Sequence, residues 1–348
     1  MKKGKKYLAV LIAILLIVVS AATGCSTQTQ TPTQSNQTSS DSSKSIKGAL
    51  VNIATATTGG VYYPLGNAMA KLWTDKLGVK ASAQATAGTA QNINLFEKKE
   101  AEVAFAQNGV VSVAYNGEET FKGRQQKDLR VMTYLYPNVM HFIVRNDSGI
   151  KSIKDLEGKK VVPGSVGSAT EINTKEILNP YGLDYTDKKN VKADFVGYNE
   201  AAELMKNKQA DMAMIAGGLP TASILDMATS FEIKILDIEP EMIKKITEKY
   251  PWYFEYVIPK GTYKGQTQDV HTVAVANILL VRKDLSDELV YQLTKALYDN
   301  RDQLIAAHDT AKYMTLESAL KGYTAPIHPG AEKFYKEKGL DVSKVMKP

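Results

Sequence analysis

One local pattern occurs three times and limits the folds open to this chain: an apolar segment, a turn of Gly and hydroxyl residues, and apolar side chains at helical spacing. The turns read TATTGGVYYP from Thr55, ATAGTAQN from Ala85 and PGSVGSATE from Pro163. In each case the apolar segment predicts a buried strand, and the residues after the turn predict a helix. Strands that alternate with helices indicate an α/β fold with a mainly parallel sheet.

The alternation of strands and helices runs twice, which predicts two α/β lobes. Apolar strands flanking a turn at Pro137-Asn138 end the first run, and a short helix before Gly158 begins the second. A C-terminal segment then returns to the first lobe. Because ligands of open α/β sheets bind beyond the carboxyl ends of the strands, we expect the ligand in the cleft between the lobes. The predicted boundaries are 48–138 and 268–348 for lobe 1, 139–267 for lobe 2, and hinge strands near 138–142 and 255–275.

The first residues of the chain predict export. A basic start precedes the 12 apolar residues Leu8–Val19, and a run of small residues leads to Cys25. An apolar run of this length is too short to span a bilayer and is typical of a signal peptide, here residues 1–24. The stretch ATGC resembles a bacterial lipobox, which favours lipidation of Cys25. A buried or stray thiol is the alternative for this single Cys.

The tract after Cys25 consists almost entirely of Ser, Thr, Gln and Asn. It lacks apolar side chains that could join a core, so residues 25–47 are predicted to be a disordered tether. We therefore expect an exported monomer that a lipid holds at the outer face of the cytoplasmic membrane. The formal net charge is +6, and four Lys lie in the first six residues, so about +2 remains after cleavage. A net charge this small does not indicate a nucleic-acid-binding protein.

The three turns predict a site for a negatively charged ligand. Helix starts present N–H groups without intrahelical partners and carry a partial positive charge. The spacing Ser168-x-x-Glu171 fits a capping box, which makes Ser168 an N-cap and Glu171 a capping residue rather than a ligand contact. The alternative is that the turns only cap their helices. No phosphate-binding motif is present, since neither G-x-x-x-x-G-K-[ST] nor G-x-G-x-x-G occurs.

Two further positions stay open at this stage. Tyr62 either packs in the core or lines the cleft. Gln107 and Asn108, which end the third strand, either cap a turn or contact the ligand through their amides.

No catalytic or metal-binding pattern accompanies the turns. His141, His271, His308 and His328 are scattered, without H-E-x-x-H or a Cys partner, and no G-x-S-x-G occurs. We therefore expect no metal site, no cofactor and no enzyme activity. An enzyme on a two-lobed scaffold is the rival class, and turnover of a bound compound would reveal it.

Four segments together resemble the TAXI family, the solute-binding subunits of tripartite ATP-independent periplasmic (TRAP) transporters. They are TGGVYYPLGNAMAKLW, GSVGSATE, the segment from Gly261 to Asn300, and PIHPGAEKFYKEKGL, and the resemblance runs from about residue 48 to 341. It implies a type II periplasmic-binding-protein fold with two α/β lobes joined by hinge strands. It also implies delivery of a small organic anion, such as glutamate, glutamine or a related dicarboxylate, to a permease driven by an ion gradient. A substrate-binding lipoprotein of an ATP-driven importer is the alternative.

The family pattern and the turns together give the candidate ligand-binding residues. Gly218 and Pro220 among them have a structural alternative, a turn that ends a strand. Ala54, Ala56 and Ala169 stand where family members often have Gly, which would narrow the pocket. The candidates are Thr57, Thr58, Gly59, Gly60, Tyr62, Thr86, Gly88, Asn92, Gln107, Ser165, Ser168, Thr170, Gly218 and Pro220.

Overall fold

The computed structural model describes residues 46–187 and 190–345. The predicted signal peptide, lipidated Cys25 and nearly all of the polar tether lie outside these residues. Within the described part of the chain, no helix is both long and apolar enough to cross a bilayer.

The described strands form one sheet with the order β2-β1-β3-β10-β4-β7-β5-β6, in which β8 also pairs with β4 and β9 with β10. The pairs β1–β2, β1–β3, β5–β6 and β5–β7 are parallel, whereas β4 and β10 run antiparallel to every strand they contact. The expectation of a mainly parallel sheet is therefore wrong at the centre and correct at both ends. The strands are β1 Leu50–Ala54, β2 Lys80–Gln84, β3 Val103–Gln107, β4 Leu129–Arg145, β5 Lys160–Val162, β6 Lys192–Ala193, β7 Met212–Gly217, β8 Ile233–Leu236, β9 Phe254–Ile258 and β10 Val270–Arg282.

The helices cover both faces of this sheet. They are α1 Tyr62–Leu77, α2 Thr89–Glu97, α3 Asn108–Asn116, α4 Ala169–Leu178, α5 Tyr198–Lys206, α6 Ala222–Ser230, α7 Pro240–Lys249, α8 Asp287–Asp299, α9 Arg301–Ala307 and α10 Pro329–Glu337. Short 3-10 segments occur at Glu119–Phe121, Asn146–Ser148, Ile153–Leu156, Asn179–Tyr181 and Asp309–Tyr313.

Helix α1 shows how the sequence places its elements. Leu65, Met69, Leu72 and Trp73 recur at helical spacing and are all buried on one face. The helix ends at Gly78, whose φ of 69° is a left-handed conformation that Gly adopts without strain. Burial of this face against the sheet fixes the start of α1 at the carboxyl end of β1.

The predicted turn at Pro137-Asn138 is wrong, because β4 continues through both residues. Pro137 pairs with Ala276 of β10, and two register shifts elsewhere in this pairing leave single β4 residues, one of them Leu135, without a partner. A Pro cannot donate an N–H to the ladder, so it is tolerated in a strand only where no partner needs that bond. Pro137, which predicts a chain reversal, therefore lies within β4, the longest described strand.

The buried side chains fall into two groups that change over along β4 and β10. Clusters built mainly from residues 46–136 and 276–345 form what we call the terminal core. Clusters built from residues 139–275 form the middle core. The change occurs between Tyr136 and Val139 on β4 and between Val275 and Ala276 on β10. The predicted lobe boundaries stay a prediction, which we carry forward as a proposal.

Helix α7 was not predicted, whereas β9 lies where a hinge strand was expected. Helix α7 buries Met242, Ile243 and Ile246 on one face, and β9 pairs with β10 at the edge of the sheet. Residues 286–308 have an apolar pattern that predicts one long helix, but they form two, because the backbone leaves helical geometry at Asn300 between α8 and α9.

Candidate functional site

Five helices begin around one small cavity of about 40 Å³. Helices α1, α2 and α3 follow β1, β2 and β3, and α4 follows β5, so each starts at the carboxyl end of a strand. Helix α5 adds Tyr198, its first residue. The cavity is lined by Ala56, Thr57, Gly60, Val61, Tyr62, Ala87, Gly88, Thr89, Gln107, Tyr136, Asn138, Ser165, Ser168, Ala169, Thr170, Tyr198 and Ala216.

None of the described residues that line the cavity has a charged side chain. The first N–H groups of a helix have no partner within the helix, and the aligned peptide dipoles give its start a partial positive charge. Several helix starts that converge on a space without acidic side chains create a positive potential there. The cavity is therefore electrostatically suited to an anion.

Buried polar atoms at the cavity lack partners in the described part of the chain. They are Gln107 Oε1, the Tyr136 hydroxyl and Asn138 Oδ1, and Asn277 Nδ2 behind Tyr62 is a fourth. An unpaired buried polar group costs about 1–3 kcal/mol, so such groups usually meet a ligand or an ordered water. Three of these side chains line the cavity itself, which makes it the place where a polar ligand would satisfy them.

Two tyrosine hydroxyls are held by neighbouring groups. Tyr62 packs its ring 4.9 Å from that of Phe105 and donates its hydroxyl to Asn277 Oδ1. The Tyr198 hydroxyl donates to the carbonyl oxygen of Ala216 at 2.8 Å and lies 2.7 Å from Thr170 Oγ1. Burial raises the pKa of both phenols, so both stay protonated in neutral solution. Tyr62 thus lines the cavity and also packs in the core, so both alternatives left open for it apply.

The cavity is closed by contacts between its two sides. Asn199 Nδ2 donates to Thr58 Oγ1 at 3.2 Å, and the N–H of Gln91 donates to the carbonyl oxygen of Gly167 at 3.3 Å. A Cβ on Gly59 would overlap Asn199 Oδ1. These bonds link residues on either side of the sheet centre. The cavity is small because its two sides are in contact.

Eight of the predicted residues line the cavity: Thr57, Gly60, Tyr62, Gly88, Gln107, Ser165, Ser168 and Thr170. The predicted role of Ser168 as an N-cap is confirmed, because its Oγ accepts from the N–H of Glu171 at 3.1 Å. The predicted capping role of Glu171 is wrong, because the N–H of Ser168 donates to the carbonyl oxygen of Ser165 at 3.0 Å and the Glu171 carboxylate accepts from the Tyr185 hydroxyl at 2.9 Å. The N–H of Gly60 donates to the carbonyl oxygen of Thr57 at 3.2 Å, so the turn itself uses that group.

The other predicted residues lie outside the cavity. Thr58 and Thr86 line an outer groove of about 650 Å³ that shares Thr57, Ala87 and Ser165 with the cavity. The Asn92 Nδ2 group donates to the carbonyl oxygens of Thr55 and Phe105, at 2.7 and 2.8 Å, and so ties β1 to β3.

Gly218 and Pro220 do not line the cavity either. Gly218 is buried beneath Thr310, and its carbonyl oxygen accepts from Thr221 Oγ1 at 2.7 Å. Pro220 follows a cis peptide bond after Leu219. Residues 218–220 therefore form a turn after β7, which is the alternative to ligand binding that the sequence left open for Gly218 and Pro220.

The sequence did not point to Tyr136, Asn138, Thr89 or Tyr198. Tyr136 and Asn138 were missed because a turn was predicted at Pro137-Asn138. A strand directs alternate residues to one face, and a turn does not. Tyr198 ends the segment VKADFVGY, which predicts a strand, although Gly197 before Asn199-Glu200 is a helix-start signal. No group of three or more His, Cys, Asp or Glu residues that could hold a metal occurs among the described residues.

Solved structures with the same overall fold cover most of this chain. The binding protein component of an ABC phosphonate transporter from Pseudomonas aeruginosa is 12% identical, with a TM-score of 0.50, and covers 77% of this chain and 81% of its own. PhnD1 from Prochlorococcus marinus, in complex with methylphosphonate, is 12% identical, with a TM-score of 0.50 and coverage of 76% and 91%. A protein from Bordetella bronchiseptica RB50 is 19% identical, with a TM-score of 0.50 and coverage of 86% and 92%.

These likenesses confirm the predicted fold class, the mixed α/β fold of periplasmic binding proteins. A family model matches residues 53–339, a stretch that includes every residue lining the cavity. That model describes the NMT1-like family, and the TAXI resemblance stays a prediction. Because the match covers most of the chain, this protein belongs to the NMT1-like family.

Proposed function

We propose that this protein is an extracytoplasmic solute-binding protein that closes over a small organic anion and delivers it to a membrane transporter. The observation that carries this proposal is the convergence of five helix starts on a cavity without charged side chains. The binding protein component of an ABC phosphonate transporter and PhnD1, which was solved with methylphosphonate, have this fold and support the proposal. Closure would be a hinge motion whose equilibrium the ligand shifts.

The volume of the cavity limits the ligand. A water needs about 10–15 Å³ of such volume, so 40 Å³ holds roughly three water-sized groups. A compact carboxylate, phosphonate or sulfonate head fits this space. Glutamate, glutamine or a related dicarboxylate, which the TAXI resemblance favours, would place one acidic group in the cavity and extend past Ser165 into the outer groove.

The transporter is of one of two kinds. The sequence motifs favour a TRAP permease driven by an ion gradient, whereas one structural neighbour is the binding protein component of an ABC phosphonate transporter and supports an ATP-driven importer more directly. An adjacent gene for an ATPase subunit would identify the importer, and one for a fused TRAP membrane subunit would identify the permease. Incorporation of labelled palmitate into the wild-type chain, but not into Cys25→Ser, would establish the lipid anchor.

A thermal-shift panel tests the ligand class. The panel contains glutamate, glutamine, malate, methylphosphonate, methanesulfonate and, as neutral controls, glucose and maltose. A ligand at one hundred times its Kd stabilises the folded state by about 2.7 kcal/mol, so one or more acids should raise the Tm while the sugars do not. Stabilisation by a sugar and by none of the acids would refute the anion proposal. Conversion of any stabilising compound, followed by NMR, would revive the enzyme alternative.

A further inference from the structure

A second groove, which we call the rear groove, lies on the other face of β4 and β10. Tyr136 and Asn138 of β4 face the cavity, whereas Pro137 between them lines the rear groove together with Ala276. Successive strand residues point to opposite faces, so the central strands separate the two spaces. The rear groove has a volume of about 540 Å³, within the roughly 300–1,000 Å³ typical of small-molecule sites.

The walls of the rear groove are aromatic. One part of the lining, from the terminal core side, is formed by Tyr134, Tyr313 and Gly322, and another by Pro251–Phe254 together with Tyr256. The aromatic lining residues are Tyr134, Trp252, Tyr253, Phe254, Tyr256 and Tyr313. Flat rings on both sides of a groove favour a planar aromatic guest through stacked or edge-to-face contacts.

The aromatic walls are held in place by other contacts. The Tyr253 hydroxyl donates to Glu176 Oε2 and accepts from Asn173 Nδ2 at 2.7 Å. The indole ring of Trp252 packs against Gly109 so closely that a Cβ there would overlap it. Phe254 is 39% exposed at the mouth, so the groove is open to solvent. These supports make the groove a preformed site rather than a gap that side chains could fill.

One charge marks the polar end of the rear groove. Among the described residues that line it, only Lys321 has a charged side chain. Lys312, beside the Tyr313 ring, is neutralised by its ion pair with Asp309. The groove therefore combines an aromatic interior with a single positive charge at its edge.

We propose that the rear groove binds a planar aromatic molecule with one negative charge, whose rings lie between the 251–256 segment and Tyr134 and whose acidic group meets Lys321. This second site is independent of the ligand cavity and of the proposed transport role. Both sides of the central strands would then bind small anions, a compact one in front and an aromatic one behind.

The two Trp residues of the chain allow a direct test with 2-naphthoate as the probe. Trp252 lines the rear groove, and Trp73 is fully buried in the terminal core. In an NMR spectrum of the full chain, the indole N–H signal of Trp252 should shift on titration while that of Trp73 stays fixed. If neither signal moves, or if both move together, the proposal is wrong.

Two matched variants separate the groove from the cavity. Lys321→Gln should weaken 2-naphthoate binding by about fivefold, the effect of one exposed ion pair, and leave the affinity for neutral 2-naphthalenemethanol unchanged. Thr57→Val, in the cavity, should leave the Trp252 shift intact. Loss of the shift in Thr57→Val would place the probe in the cavity and overturn the proposal. A Trp252 shift that appears only when the chain ends at Val345 would also overturn the proposal, because residues 346–348 would then be the occupant of the rear groove.

Discussion

At the scale of single residues, the cavity differs from most anion sites because its charge comes from backbone rather than from side chains. Gln107, Tyr136 and Asn138 supply buried polar atoms that have no partner in the described chain. Tyr62 and Tyr198, by contrast, already donate their hydroxyls to protein acceptors. The Tyr136 hydroxyl can donate to an anion, whereas the amide oxygens of Gln107 and Asn138 can only accept, so selectivity among anions should depend on whether the anion also carries a hydrogen-bond donor. The shape of the cavity should depend on Tyr62 and Tyr198.

Tyr136→Phe distinguishes these two roles. The Tyr136 hydroxyl has no partner among the described residues, so its removal should leave the unfolding free energy of the free protein unchanged or slightly higher. Affinity for the anion found in the thermal-shift panel should fall about tenfold, or about 1.4 kcal/mol, because the ligand loses one buried hydrogen bond. Urea unfolding and calorimetric titration measure the two quantities.

Tyr62→Phe is the control for that prediction. It removes a hydroxyl that is bonded to Asn277, so it should destabilise the free protein. Equal destabilisation by the two variants would show that the Tyr136 hydroxyl has a partner in the free protein. Unchanged affinity in Tyr136→Phe would show that Tyr136 does not meet the ligand.

At the scale of elements, helix α4 joins the cavity to the segment before β9. Ser168 and Thr170 at its start line the cavity, and Glu176 further along accepts from Tyr253. Burial raises the pKa of the Glu176 carboxyl from 4.5 to about 7, and hydrogen bonds from Tyr253 and Trp252 oppose that rise. The acid is therefore largely protonated in the folded protein at mildly acidic pH.

This carboxyl makes stability depend on pH. Between about pH 4.5 and 7 the unfolded chain ionises Glu176 while the folded protein keeps its proton, so the unfolding free energy falls as the pH rises, by about 3 kcal/mol in total. Glu176→Gln keeps an acceptor for Tyr253 and should remove this component. Urea unfolding should show the variant matching the wild type near pH 4.5 and exceeding it near pH 8. Parallel pH profiles for both proteins would rule out an ionisable, buried Glu176.

The strand–turn–helix units that position the site were predicted more accurately than the residues that form the site. Strand–turn–helix units with a clear apolar period, such as β1 and α1, were found because local patterning decides them. The strand β4 was divided because Pro137 is a local signal for a break, whereas pairing with Ala276 is a long-range contact that overrides it. Tyr136 and Asn138 were missed with it. Asn92 looked like a ligand residue but bonds to two strand carbonyls, which spacing cannot show.

At the scale of the whole molecule, a few close contacts hold the terminal and middle cores together behind the cavity. Gly218, after β7, lies directly beneath Thr310 of the 3-10 segment that follows α9, and Tyr136 is beside both. The Thr310 hydroxyl lies 2.9 Å from His308 Nδ1, which fixes the side chain over the Gly.

Gly218→Ala tests this contact. The added Cβ would overlap Thr310 Cγ2, and overpacking of this kind costs about 1–3 kcal/mol. Thr310→Ser removes that methyl group and keeps the hydroxyl for His308, so the double variant should recover most of the loss in urea unfolding. If Thr310→Ser brings no recovery, the strain of Gly218→Ala arises elsewhere.

The central position of β10 has a measurable effect on folding. A chain that ends at Asp269 lacks β10, and so leaves β3 and β4 unpaired along the edges where β10 lies. We expect this truncated chain to show no cooperative unfolding transition, and added fragment 270–348 to restore one, as followed by circular dichroism. Cooperative unfolding of the truncated chain alone would contradict this expectation.

The same strand order bears on when the protein can fold during its synthesis. The ribosome makes β3 and β4 early and β10 late, yet β10 lies between them, and the terminal core also needs α8 and α10. The nascent chain thus has no complete terminal core until its C-terminal part has emerged. For the exported protein proposed above, this delay would be an advantage, because the topology postpones the compact state that an extended chain must avoid while it crosses a membrane.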